Sequence, residues 1–276
     1  MRAIVEVRTG RLKGKKAPIE PGSTLRIGRT DRATLSFPFD MQMSALHCEL
    51  AWNGETCRLR DLGSLKGTRL RGEAVLDADV TEGSDIQAGD TVLSVYFENG
   101  IPPRRRRRPE PDVAAARARA LDALRREPGA LHAVLDAARD ERVLELLPRS
   151  TEEYQSLYEG VQGEALAEVA PYLVELAKDS RLLERLVMEG WGSAWGVYLT
   201  WAGPKRDLRR HLRRFLMVVD DETTRRMYFR FYDPRVLRDF LPTCSVLQTE
   251  ELFGEIGCFL VEGDRADVVR FEREAR

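Results

Sequence analysis

The sequence predicts a multidomain chain, an all-β sandwich followed by an α/β (α+β) domain, and three observations carry that prediction. Residues 101–112, IPPRRRRRPEPD, combine prolines with five adjacent arginines and can pack into no core. Before this run, short β-rich stretches alternate with Gly, Asp and Asn turns. After it, apolar residues recur at helical spacing between strand-like runs. The expected organisation is therefore a sandwich over 1–100, a linker over 101–112 and a second domain over 113–276.

In the first part, strands are expected at Ala3 to Val7, Thr24 to Ile27, Leu46 to Trp52, Thr56 to Leu59 and Thr91 to Phe97. In the second, Asp112 is placed to cap an Ala-rich helix, and Ser180 to cap one carrying Leu182, Leu183, Leu186 and Val187 before Gly190. Pro204 can start a helix whose apolar stripe is Leu208, Leu212, Phe215 and Leu216. Strand-like runs stand at Ala133 to Leu135, Trp195 to Trp201, Leu216 to Val219, Tyr228 to Tyr232 and Cys258 to Val261. Alternation in the Tyr228 to Tyr232 run predicts a two-faced strand, and Asp233 before Pro234 suits the cap of a short helix.

Composition narrows the function classes. Lys plus Arg number 44 against 45 Asp plus Glu, so no global charge draws the chain to nucleic acid or an anionic membrane. No stretch approaches the ~20 apolar residues that cross a bilayer, which predicts a cytoplasmic protein. Cys48, Cys57, Cys244 and Cys258 are too scattered for a disulfide framework or zinc site. His47, His132 and His211 show no metal-ligand spacing, and no Walker loop, nucleophile elbow or paired-carboxylate phrase stands out. Neither enzyme activity nor a metal or other cofactor is expected.

Three phrases stand in order in the first part: Gly28-Arg29 after a strand, Ser44-Ala45-Leu46-His47 before one, and Asp61-Leu62-Gly63-Ser64-Leu65-Lys66-Gly67-Thr68 after another. Together they resemble the forkhead-associated (FHA) domain, over roughly residues 1 to 99. The resemblance implies phosphothreonine-peptide binding by loops at one end of the sandwich. It assigns Arg29 and Ser44 to the phosphate, Ser64, Lys66 and Thr68 to the peptide, and loop-bracing roles to Gly28, His47 and Gly67. A guanidinium fork and a hydroxyl suit phosphate oxygens. The chain departs from the family pattern at Ala45, where arginine is frequent, and at Lys66, where asparagine precedes Gly-Thr. Recognition of an unmodified partner through the same fold stays open.

In the second part, Tyr154-Gln155-Ser156-Leu157-Tyr158-Glu159-Gly160, Trp195-Gly196-Val197-Tyr198-Leu199 and Tyr228-Phe229-Arg230-Phe231-Tyr232-Asp233-Pro234-Arg235, followed by Leu241-Pro242, resemble the type VI secretion adaptor family, a domain first catalogued as of unknown function. That resemblance implies a cytoplasmic chaperone that holds a toxic effector and helps load it onto the VgrG spike. Arg230, Asp233 and Arg235 read first as an internal ion-pair and capping network and, as the alternative, as candidate effector contacts. Trp191, Trp195 and Trp201 read as core or as binding anchors. Arg206, Arg209, Arg210, Arg213 and Arg214 read as a solvated face or as a seat for an acidic partner. Two other classes remain: binding of nucleic acid or anionic lipid through Arg104 to Arg108, and a hydrolase whose carboxylates meet only on folding.

Overall fold

The structure is a computed structural model and describes residues 1–98, 111–219 and 226–272. It divides into two units: residues 1–98 with 148–153, and residues 111–147 with the rest of the described chain. Within the first unit, Lys16 Nζ donates to the Ser150 carbonyl at 2.6 Å.

In the first unit the strands are β1 (Ala3–Val7), β2 (Lys16–Ile19), β3 (Ser23–Gly28), β4 (Leu35–Ser36), β5 (Cys48–Trp52), β6 (Cys57–Asp61), β7 (Thr68–Leu70), β8 (Glu73–Val75), β9 (Asp77–Val80), β10 (Ser84–Ala88) and β11 (Thr91–Phe97). They form two sheets, ordered β2-β1-β11-β10-β7-β8 and β4-β3-β5-β6-β9. Side chains alternate as a sandwich requires. In β10, Ser84, Ile86 and Ala88 are buried while Asp85 and Gln87 face out. In β6, Cys57 and Leu59 are buried while Arg58 and Arg60 reach across the register to Asp77. Ile27, Leu50, Leu59, Ile86 and Val95 are wholly enclosed in the shared core.

The second unit contains α1 (Pro111–Arg126), β12 (Ala130–Asp136), α2 (Arg142–Leu146), β13 (Tyr154–Ser156), α3 (Gly160–Ala165), β14 (Pro171–Leu176), α4 (Arg181–Gly190), β15 (Gly196–Trp201), α5 (Lys205–Arg213), β16 (Met217–Val219), β17 (Arg226–Tyr228), α6 (Pro234–Phe240), α7 (Val246–Phe253), β18 (Cys258–Glu262) and β19 (Val268–Glu272). Its main sheet runs β13-β14-β12-β15-β18-β19. Every neighbouring pair in it is antiparallel. Helices cover both faces, so the central strands are buried on both sides and read as apolar runs, as in Gly196–Trp201. One face carries Leu131, Ala133 and Leu135 against Leu124, Leu183 and Leu186; the other carries Val134, Val197 and Leu199 against Leu208, Leu212, Phe231 and Phe253.

Local chemistry explains the helix starts. The Ser180 hydroxyl accepts from Leu183 N, and Asp233 accepts from Arg235 N with Pro234 at the first helical position. Four sequence expectations change. The helix expected after Asp112 starts at Pro111, so the last two residues of the expected linker are helical; residues 101–110, including Arg104 to Arg108, lie outside the described residues. The α5 helix stops at Arg213, leaving Phe215 and Leu216 beyond it. The strand expected over Tyr228 to Tyr232 ends at Tyr228: Phe231 and Tyr232 lie beyond it, both buried, in the segment that leads to the Asp233 cap of α6. The arginines of α5 also split in two. Arg209 and Arg213 donate to the Ser156 and Leu157 carbonyls and both pair with Glu159, whereas Arg206 and Arg210 are 88% and 76% exposed. Trp191, Trp195 and Trp201 belong to the core, and the four cysteines stand as free thiols.

Candidate functional site

The loops joining β3 to β4, β4 to β5 and β6 to β7 meet through short hydrogen bonds. Arg29 N donates to the Ser44 carbonyl at 2.9 Å and His47 N to the Ile27 carbonyl at 2.9 Å, laying the Ser44 loop along the end of β3. Gly28 makes that approach feasible, since a Cβ there would sit 2.3 Å from the Ala45 carbonyl oxygen. The glycine of the Gly-Arg pair therefore serves close backbone contact and not a left-handed turn.

His47 joins two loops from a fully buried position. Its Nδ1 accepts from Ser44 N at 3.1 Å, which places the proton on Nε2, 3.2 Å from the Gly67 carbonyl. Both ring nitrogens are thereby satisfied in the neutral imidazole, an arrangement that braces loops. Ser44 Oγ accepts from Leu65 N at 3.1 Å, leaving its own proton for a ligand. Arg29 Nε donates to the Met43 carbonyl at 3.2 Å, which orients the guanidinium while the remaining N–H groups and the charge stay uncommitted. Among the described residues Arg29 and Lys66 have no carboxylate partner, and Lys66 is exposed.

Two carboxylates, neither assigned a site role from the sequence, hold these loops. Asp61 accepts from Gly63 N and Ser64 N at 2.8 Å, from Ser64 Oγ at 2.6 Å and from Thr68 Oγ1 at 2.5 Å. Burial would raise its carboxyl, but the hydrogen bonds outweigh burial and hold it below the usual carboxylate range. Asp40 accepts from Gln42 N, Met43 N, Asp90 N and the Thr91 hydroxyl, fastening the Ser44 loop to the β10–β11 turn. Gly89, at φ +62°, lies so close that a Cβ would meet Met43 N at 2.7 Å.

These bonds correct two assignments. Thr68 is fully buried with its hydroxyl donated to Asp61, so it cannot touch a peptide. The Ser64 hydroxyl likewise gives its proton to Asp61 and shapes the loop. Gly67, at φ +73°, permits the turn whose carbonyl meets His47. One exposed side chain escaped the sequence reading: Leu65, 93% exposed, sits where its N–H reaches Ser44. An apolar residue inside the polar phrase Ser64-Leu65-Lys66 was the available signal.

In the second unit the candidate contacts form a neutralised cluster. Asp136, wholly buried at the end of β12, pairs with Arg230, and Asp233 pairs with Arg235 at 2.6 Å. Asp233 is 2% exposed and caps α6, so it is corrected from effector contact to helix cap. Arg230 and Arg235 keep 43% and 52% of their side chains exposed. Glu262 accepts from Gly192 N and Ala194 N at 2.6 Å; burial lifts its carboxyl above the usual range against those bonds. Among the described residues no cluster of His, Cys, Asp or Glu is arranged to hold a metal, and no helix is long and apolar enough to cross a membrane.

A two-sheet sandwich with an arginine, a serine and a braced histidine on adjoining end loops defines an FHA domain, and the FHA family model matches residues 25–92. The second unit matches, over residues 131–251, the family described as Domain of unknown function (DUF4123). The chain thus carries an FHA domain followed by a DUF4123 domain, as both sequence resemblances implied. Solved structures similar to the first part include one titled for phosphothreonine-dependent FHA domain interactions, 25% identical, covering 35% of this chain and 97% of that one with a TM-score of 0.33. An FHA domain of an Arabidopsis thaliana hypothetical protein is 26% identical, covering 37% and 90%, TM-score 0.34. One from a Chlamydia trachomatis protein is 20% identical, covering 35% and 97%, TM-score 0.33. No curated protein matches the chain.

Proposed function

We propose that this chain is a non-enzymatic cytoplasmic adaptor of a type VI secretion system. In this reading the DUF4123 domain holds an effector and helps load it onto the VgrG spike, while the FHA domain captures a threonine-phosphorylated protein through Arg29, Ser44 and Lys66. The observation that carries the FHA part is a pair of cations on adjoining end loops, Arg29 steered by the Met43 carbonyl and Lys66 exposed, with no carboxylate on either among the described residues, while Asp40 and Asp61 are occupied by backbone N–H and hydroxyl donors of those loops. A cation prepared in this way lacks only its anion. Family membership supports the effector part. The binding reading over a hydrolytic one is supported by Asp136, Asp233 and Glu262, each engaged by arginine or backbone donors.

The test is titration of the full chain with a phosphothreonine peptide library and its unmodified counterpart. Arg29→Ala should weaken the phosphorylated library by about 1.5–3 kcal/mol, roughly ten- to hundredfold, and leave the melting midpoint unchanged. Equal binding by both proteins would remove phosphate recognition from the account.

A further inference from the structure

The arginines of α5 and of the turn that leaves it do two different things. Arg209 and Arg213 hold the fold, through the Ser156 and Leu157 carbonyls and Glu159. Arg206, Arg210 and Arg214 stand every fourth residue, and Arg214 keeps helical backbone just past the last turn, at φ −62° and ψ −26°. Residues at that spacing share one line along a helix, about 6 Å apart at a rise of ~1.5 Å per residue. All three are exposed. Among the described residues the one carboxylate paired with this row is Asp207, 3.8 Å from Arg206 and 3.0 Å from Arg210. Arg214 has none and lies 5.5 Å over the Phe215 ring, a contact that steers its guanidinium without neutralising it.

Neither packing nor the helix dipole accounts for the row. Like charges four residues apart weaken a helix, and the dipole favours cations in the last turn while opposing Arg206 in the first. Three residues past Arg214 the chain enters the β16–β17 ribbon, where Met217 stands opposite Tyr228, 41% and 65% exposed. A cationic row that leads to an apolar pair is complementary to a segment carrying both chemistries. We infer that the row seats an acidic segment of the protein carried by the DUF4123 domain, with its carboxylates about 6 Å apart on the arginines and an apolar side chain against Met217 and Tyr228. Nucleic acid fits less well. Arg206, Arg210 and Arg214 less Asp207 leave a net charge of +2, which two carboxylates neutralise, and an exposed apolar pair offers nothing to a phosphate backbone.

The inference rests on the adaptor reading and is separable from it. The full chain is purified from the native bacterium with what it carries, as wild type, as the combined Arg206→Gln, Arg210→Gln and Arg214→Gln variant, and as Arg210→Lys. The Arg210→Lys complex is then treated with a carbodiimide, which couples a lysine amine to a carboxyl group touching it, and the joined peptides are read by mass spectrometry. The combined variant should retain the secretion effector roughly tenfold less than wild type, since three solvent-exposed pairs contribute a few-fold each, and its melting midpoint should not fall. Arg210→Lys should retain the effector and couple position 210 to an Asp or Glu within one effector segment. Full retention by the combined variant, or coupling confined to Asp207 and other carboxyls of this chain, overturns the seat and leaves the adaptor reading standing. Retention that nuclease abolishes in wild type overturns the assignment to an acidic protein segment. Absence of any effector or spike component from the wild-type preparation overturns both readings.

Discussion

Arginine serves opposite purposes in the two domains. At the loop end of the FHA sandwich, Arg29 is steered by a carbonyl and keeps its charge available. At the end of β12, Arg230 and Arg235 face Asp136 and Asp233, carboxylates that burial would leave too costly without a cation. A guanidinium held by neutral acceptors is a prepared anion site, while one spent on a buried carboxylate is part of the scaffold. The comparison accounts for a candidate phosphate site readable from a few residues, and for the absence of any such charge signal at Arg230 and Arg235 among the described residues.

The largest effect that could break this division is in the scaffold. Phe231 is wholly enclosed between the sheet and α6, and Phe231→Ala should destabilise the DUF4123 domain by about 3–5 kcal/mol. Denaturant unfolding should show only that domain's transition moving, with phosphopeptide affinity intact; coupled loss of both would mean the domains do not act separately. Next, Gly28→Ala should cost about 1–3 kcal/mol and displace the Ser44 loop, because the new methyl meets backbone that cannot rotate away. Its signature is weakened phosphopeptide binding together with a lower FHA melting midpoint, unlike Arg29→Ala, which should spare stability.

The smallest effect is a pH dependence confined to the second domain. His132 is 1% exposed on β12, and its Nδ1 has no hydrogen-bond partner among the described residues. Burial depresses its pKa, with Glu175 opposing and Lys205 adding to the shift. The unfolded chain then binds more protons below its ordinary value of about 6.5, so stability is lost as pH falls through 6.5 toward the folded-state value. Replacing the imidazole in His132→Leu should flatten that slope between pH 7 and 5 in thermal melts; an unchanged slope would assign it to other groups.

How far the sequence carried these conclusions depended on distance along the chain. Gly28-Arg29, Ser44 and His47 sit within short phrases at strand ends, so local pattern reached them. Asp40 escaped because it acts on Asp90 and Thr91, fifty positions away on another connection, and no local spacing reports such a bond. Thr68 was misassigned because a motif position says nothing about burial. Strands β7, β8 and β9, of three or four residues each, are too short to show a period. The aromatic run Tyr228 to Tyr232 imitates strand alternation while its last two members turn into the core ahead of the Asp233 cap.

The most direct test of separate duties is quantitative co-purification from the native bacterium with the full chain, comparing wild type, Arg29→Ala and phosphatase-treated extract. The account predicts that a toxin-like effector or spike component is retained equally in all three, while a second set of partners disappears with Arg29 or with the phosphates. Retention of secretion components that fell with Arg29→Ala, or a partner set unmoved by either change, would contradict it.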